Sequence, residues 1–142
     1  MMNLFRRHRT TGLSIADKLR NIQQQRPKNL HITIYIKDQV LFQIMPARHF
    51  EQHGLEPKDF DSLVVVHFFN KNKTSTFDKL NKFKNTDLGR QHLYFEEPKG
   101  NHNYVKEIGN DPQLIQDVVN EYLKDAYDLQ TTKDLTIDYA DY

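Results

Sequence analysis

The 142 residues contain no cysteine and no tryptophan, and only five glycines and five prolines. No apolar run approaches the ~18 residues of a membrane-crossing helix. Without cysteine there is no disulfide, no thiolate nucleophile and no thiolate metal site. The glycines (Gly12, Gly54, Gly89, Gly100 and Gly109) are too dispersed for a phosphate-cradling loop, and no Gly-x-Ser-x-Gly elbow occurs. These absences argue against P-loop nucleotide hydrolysis and serine hydrolase chemistry.

A large charge excess is also missing. There are 20 Lys/Arg and 19 Asp/Glu, a formal net charge of +1. The charge is instead polarised along the chain: residues 1–30 carry seven Lys/Arg against Asp17, whereas residues 101–142 carry nine acids against three bases. Such asymmetry bears on steering and partner choice rather than on fold. Met1–Phe5 precedes the cluster Arg6-Arg7-His8-Arg9, the reverse of the order in an export signal. With no cysteine either, a cytoplasmic location is the expectation, with no membrane partner.

The length suits one domain. We expect residues 1–12 to be a basic N-terminal arm, free to be disordered, and residues 13–142 to be a single α+β domain. The first helix is expected over Leu13–Arg26: Ser14 and Asp17 have capping-box spacing, Ile15, Leu19 and Ile22 share a face, and Pro27 forces a stop. His31–Ile36 and Val40–Met45 alternate as a hairpin. A short helix at Ala47–His53 should end on Gly54 as a left-handed cap. Ser62–Phe69 is apolar on both faces and reads as a central strand.

Ser75 should cap another short helix carrying Phe77, Leu80 and Phe83, and Gln91–Glu96 should be a fourth strand. Glu97–Asn110, with Pro98, Gly100 and Gly109, reads as a loop with a short extended piece at Tyr104–Val105. The strongest helix begins at Pro112, with Asp111 as its N-cap and an apolar stripe from Leu114 to Ala126. Leu135–Tyr139 closes the chain as a strand. The expected architecture is an antiparallel or mixed sheet of four to five strands with two to three helices packed mainly on one face.

Several groups of residues have chemistry to offer. Arg6, Arg7 and Arg9, joined by Lys79 and Lys82 of the Lys71–Lys84 segment, are candidates for phosphate contacts to nucleic acid. However, the isoelectric point of about 8.0 is lower than expected for a dedicated nucleic-acid binder. Asp134, Asp138, Tyr139, Asp141 and Tyr142 make an acidic, aromatic C-terminal strand suited to adding to a partner's sheet. The competing reading is an edge strand whose charges guard against aggregation.

His49 and His53, four apart on a predicted helix, are the candidate metal ligands, although Phe50 stands where a metalloprotease helix has glutamate. Asp87, Glu97 and Lys99 loosely match a metal-dependent nuclease pattern, but Pro98 interrupts the strand that should present the last two. His31, Thr33, Tyr35, His67, His92 and Tyr94 sit on predicted strands with no nucleophile beside them.

No motif is specific enough to name a family. The expectation is a small non-catalytic binding domain, without a cofactor, that engages a protein partner through charge-polarised surfaces. The alternatives are a nucleic-acid-binding accessory protein and, third, the metal-dependent nuclease.

Overall fold

The computed structural model describes residues 7–11, 14–37, 39–70, 82–129 and 135–142. Among the described residues there are seven strands: β1 (Arg7–Thr11), β2 (Leu30–Ile36), β3 (Gln39–Pro46), β4 (Leu63–Asn70), β5 (Leu93–Glu96), β6 (Asn101–Gly109) and β7 (Leu135–Asp141). They form one sheet in the order β1-β7-β2-β3-β4-β6-β5, with every neighbouring pair antiparallel. The helices whose full extent lies among the described residues are α1 (Ile15–Gln24), α2 (Asp87–Arg90) and α3 (Pro112–Asp125), with a 3-10 helix at Ala47–His53.

The α+β class matches expectation, but the sheet is larger than the four to five strands expected. One additional strand comes from the basic arm, whose residues 7–11 pair with β7 instead of extending away from the domain. The other is β6, which fills most of the segment expected to be a loop. Its Asn- and His-rich start has little intrinsic strand preference, but β4 and β5 pair with it on both sides. Pro98 and Gly100 belong to the tight β5–β6 turn, where Gly100 takes φ +85° and its N–H donates to the Glu97 carbonyl at 2.9 Å.

Strand alternation sorts the side chains into two layers. Ile32, Ile34, Phe42, Ile44, Val65, Ile137 and Tyr139 pack beneath α1 and α3, which contribute Ile15, Leu19, Ile22, Ile115, Val119 and Tyr122. Val64, Val66 and Val105 point the other way and form a smaller cluster under Ala47 and Phe50 of the 3-10 helix. Helices α1 and α3 thus cover one face, as expected, while the 3-10 helix covers part of the second.

The start of α3 follows the sequence rules, since Asp111 accepts from the N–H groups of Gln113 at 2.9 Å and Leu114 at 3.1 Å. Leu114, however, is exposed, so the buried stripe begins at Ile115. Gly54 ends the 3-10 helix at φ +94°, as its position predicts. Helix α1 has no capping bond from the Ser14 side chain. Gln116 Oε1, from α3, accepts from Ile15 N at 2.7 Å and Ala16 N at 3.1 Å instead. The predicted Ser75 cap and the start of its helix lie outside the described residues, while residues 82–84 are helical.

Candidate functional site

Helix α1 ends where Pro27 requires it. Arg26 takes a left-handed backbone, φ +50°, and the chain swings outward before β2 begins. The bend leaves a cleft of about 420 Å³ between the end of α1, the start of the 3-10 helix and the turn before β4. Buried Leu30, Pro46 and Leu63 form its floor. Arg26, Lys28 and Arg48 stand on its rim with Asp61 as the single acid. Gln23 Nε2 donates to the Asn110 carbonyl at 2.7 Å and ties α1 to the turn before α3.

Two side chains give the cleft its character. Phe60 is 79 % exposed, the most exposed large apolar side chain among the described residues. The Arg48 guanidinium lies 4.8 Å from the Phe60 ring centroid, within cation–π range. The same guanidinium donates to Asn29 Oδ1 at 2.7 Å and to the Lys28 carbonyl, so its position is set before any ligand arrives. The site therefore offers an aromatic face, an apolar floor and a surplus of fixed positive charge.

A second polar cluster lies inside the core. Tyr127 donates its hydroxyl proton to the Leu41 carbonyl at 2.8 Å, because a carbonyl can only accept. The His67–Tyr127 contact at 2.7 Å must then be donated by His67 Nδ1–H, leaving Nε2 with a lone pair. His67 is fully buried and its Nε2 has no hydrogen-bond partner among the described residues. By the same reasoning His92 Nδ1–H donates to the Leu88 carbonyl at 2.8 Å, and its Nε2 accepts from Tyr122 at 2.7 Å.

At neutral pH both imidazoles favour the neutral form. Burial, and then the neighbouring His92, holds His67 well below the ordinary histidine value. Burial takes His92 down to about 4 against the opposing hydrogen bond to Leu88. Burial also raises both tyrosines well above theirs. With Phe42 and Phe83 packed around it, this network pins α3 to the sheet. Its geometry serves packing, with every nitrogen except His67 Nε2 hydrogen-bonded within the protein.

The residues singled out from sequence are scattered over the fold. Arg6, Lys79 and Asp134 lie outside the described residues. Arg7 and Arg9 are on β1, and Arg9 approaches Asp138 at 3.8 Å and the Tyr35 ring centroid at 5.5 Å. Lys82 is on the helix-covered side, lining a groove with Asp87, Glu121 and Asp125. Arg9 and Lys82 therefore belong to opposite faces and do not form one basic patch.

The C-terminal strand corrects the expectation of an available edge. β7 lies between β1 and β2, so both of its sides are already paired. Asp138 and Tyr139 are buried, and Asp141 accepts from Asn29 N at 2.9 Å. Of that group, Tyr142 is the one described residue that is well exposed.

His49 and His53 diverge because their helix is 3-10. Four residues advance about 120° around a three-residue turn, against about 40° in an α-helix. His53 stacks on Phe95, centroids 3.8 Å apart, while His49 lies beside His31 at 5.6 Å. Of the nuclease trio, Asp87 pairs with Arg90 at 2.7 Å, Glu97 accepts from Asn103 at 3.1 Å, and Lys99 sits on the β5–β6 turn. Among the described residues no three His, Cys, Asp or Glu side chains converge as a metal-binding group.

Sequence reasoning passed over Arg26, Lys28, Arg48 and Phe60. The Arg26-Pro27-Lys28 triplet and the lone Phe60 between Asp59 and Asp61 were the available signals, but nothing local joins segments more than 30 positions apart. No helix among the described residues is long and apolar enough to cross a membrane. No family model, curated protein or solved structure matches the chain.

Proposed function

We propose that this chain is a non-catalytic binding domain that receives an acidic segment of a protein partner in the cleft lined by Arg26, Lys28, Arg48 and Phe60. The observation that carries the reading is the exposed Phe60 ring beside Arg48, in a cleft that Arg26, Lys28 and an apolar floor also line. Covering a phenylalanine side chain is worth about 1.5–3 kcal/mol. Aromatic and arginine side chains dominate interface energetics, and the positive rim favours an acidic partner's approach. The reading carries a cytoplasmic setting with it, where a cysteine-free chain has no disulfide to make.

Nucleic-acid binding draws less support, because Arg9 lies beside Asp138 and Lys82 lines a groove with three acidic residues on the other face. The nuclease alternative has the least, since Asp87 and Glu97 have partners of their own.

The test is an array of acidic nonapeptides, each carrying one Phe, Tyr or Leu, probed beside charge-neutral controls and a single-stranded 20-mer. We expect selective retention of acidic peptides. Phe60→Ala and the double change Arg26→Glu with Lys28→Glu should each weaken binding at least tenfold, about 1.4 kcal/mol. Equal binding of neutral and acidic peptides, or full affinity in Phe60→Ala, would overturn the reading. Preferential binding of the oligonucleotide would transfer it to nucleic acid.

A further inference from the structure

We propose that His31 and His49 form a two-imidazole site for a late first-row divalent cation, of the Zn²⁺ or Cu²⁺ class, where β2 meets the 3-10 helix. The site is independent of the peptide-binding proposal and uses neither Phe60 nor the cleft floor.

The two rings come from different elements, and their centroids are 5.6 Å apart with the planes inclined at 37°. A metal–imidazole bond of about 2.0–2.1 Å puts the ion about 3.2 Å from each ring centroid, so two imidazoles at a tetrahedral angle have centroids about 5.2 Å apart. The observed spacing is within a few tenths of an ångström of that value.

His31 is already arranged as a ligand. Its Nδ1 lies 2.9 Å from the Asn29 carbonyl, which can only accept, so Nδ1 carries the proton and Nε2 carries the lone pair. Donation of the second ring nitrogen to a backbone carbonyl is how metal-binding histidines are commonly oriented. The Tyr142 ring packs edge-on against His31 at 5.1 Å and restricts its rotation. His49 is exposed, so its ring has room to turn toward His31.

Arg48, the residue before His49, is a cation whose charge opposes a bound metal ion. Its guanidinium is committed to the Lys28 carbonyl, Asn29 Oδ1 and the Phe60 ring. With no third His, Cys, Asp or Glu converging among the described residues, water would complete the coordination. An all-imidazole protein donor set selects zinc, copper or nickel over magnesium or calcium.

The experiment adds one equivalent of Cu²⁺ to the full chain at pH 7.4, reads bound nitrogen by electron paramagnetic resonance, and measures Zn²⁺ affinity by calorimetry. Two equatorial imidazole nitrogens are expected in the wild type and one in either His31→Gln or His49→Ala. Each variant should lose at least tenfold in Zn²⁺ affinity, while His53→Ala retains wild-type affinity. His49→Ala changes an exposed side chain, so the test survives if His31→Gln disturbs folding. One or no imidazole nitrogen in the wild type, or undiminished Zn²⁺ affinity in His49→Ala, overturns the proposal.

Discussion

Gln116, on the outer turn of α3, closes the open N-terminus of α1 by accepting from Ile15 N at 2.7 Å, and its second bond reaches Ala16 N at 3.1 Å. The first N–H groups of a helix have no partner within it, and here one side-chain oxygen from another helix serves two of them. The contact spans a sequence separation of 101 residues and joins the two helices that cover the main core.

Gln116→Leu removes that acceptor while keeping a side chain of similar reach. We expect a loss of about 1–2 kcal/mol, in the range of a lost N-cap. Ser14→Ala should change stability by less than about 0.5 kcal/mol, because Ser14 makes no side-chain capping bond. Urea denaturation of both variants checks the pair, and a larger loss in Ser14→Ala would reverse the assignment of the cap.

The buried imidazoles predict an acid-sensitive fold. Burial lowers both His67 and His92, so the unfolded chain, with histidines near pH 6.5, binds protons that the folded chain refuses. Stability is therefore fully present above about pH 6.5 and is lost as the pH falls toward the folded values. For His92, with its folded value near 4, the loss over that window is on the order of 3 kcal/mol. Denaturation midpoints measured between pH 7 and 5 isolate this effect from most carboxylate titration. His92→Gln should flatten the slope, and a midpoint independent of pH in the wild type would contradict it.

Removing residues 1–11 should destabilise the domain rather than merely trim it. β1 covers one side of β7, and its loss would expose a row of unpaired backbone groups. A lower melting temperature and concentration-dependent association on size exclusion are the expected outcomes. A truncated chain with the wild-type melting temperature and monomeric elution would return these residues to the role of a dispensable arm.

Local chemistry accounts for much of the architecture. Asp111 and Pro112 start α3, Gly54 ends the 3-10 helix, and the alternation from His31 to Met45 makes the β2–β3 hairpin. Pairing partners were not legible in the same way. Nothing in Arg7–Thr11 announces a strand, and the polar start of β6 reads as a loop until β4 and β5 are placed beside it. The site was less legible than the fold. His49 looked like a partner for His53 on α-helical spacing, and the tighter 3-10 turn placed it beside His31 instead.

By itself, the sequence determined the α+β class, the main helices and the five strands whose apolar pattern is local, because periodicity and capping act within a few residues. It also determined the absence of cysteine chemistry and of glycine-rich phosphate loops. Only the tertiary structure decided that β7 is interior, that Gln116 caps α1, and that Arg26, Lys28, Arg48 and Phe60 meet in one cleft. Those relationships join residues dozens of positions apart, and chain packing alone brings them together.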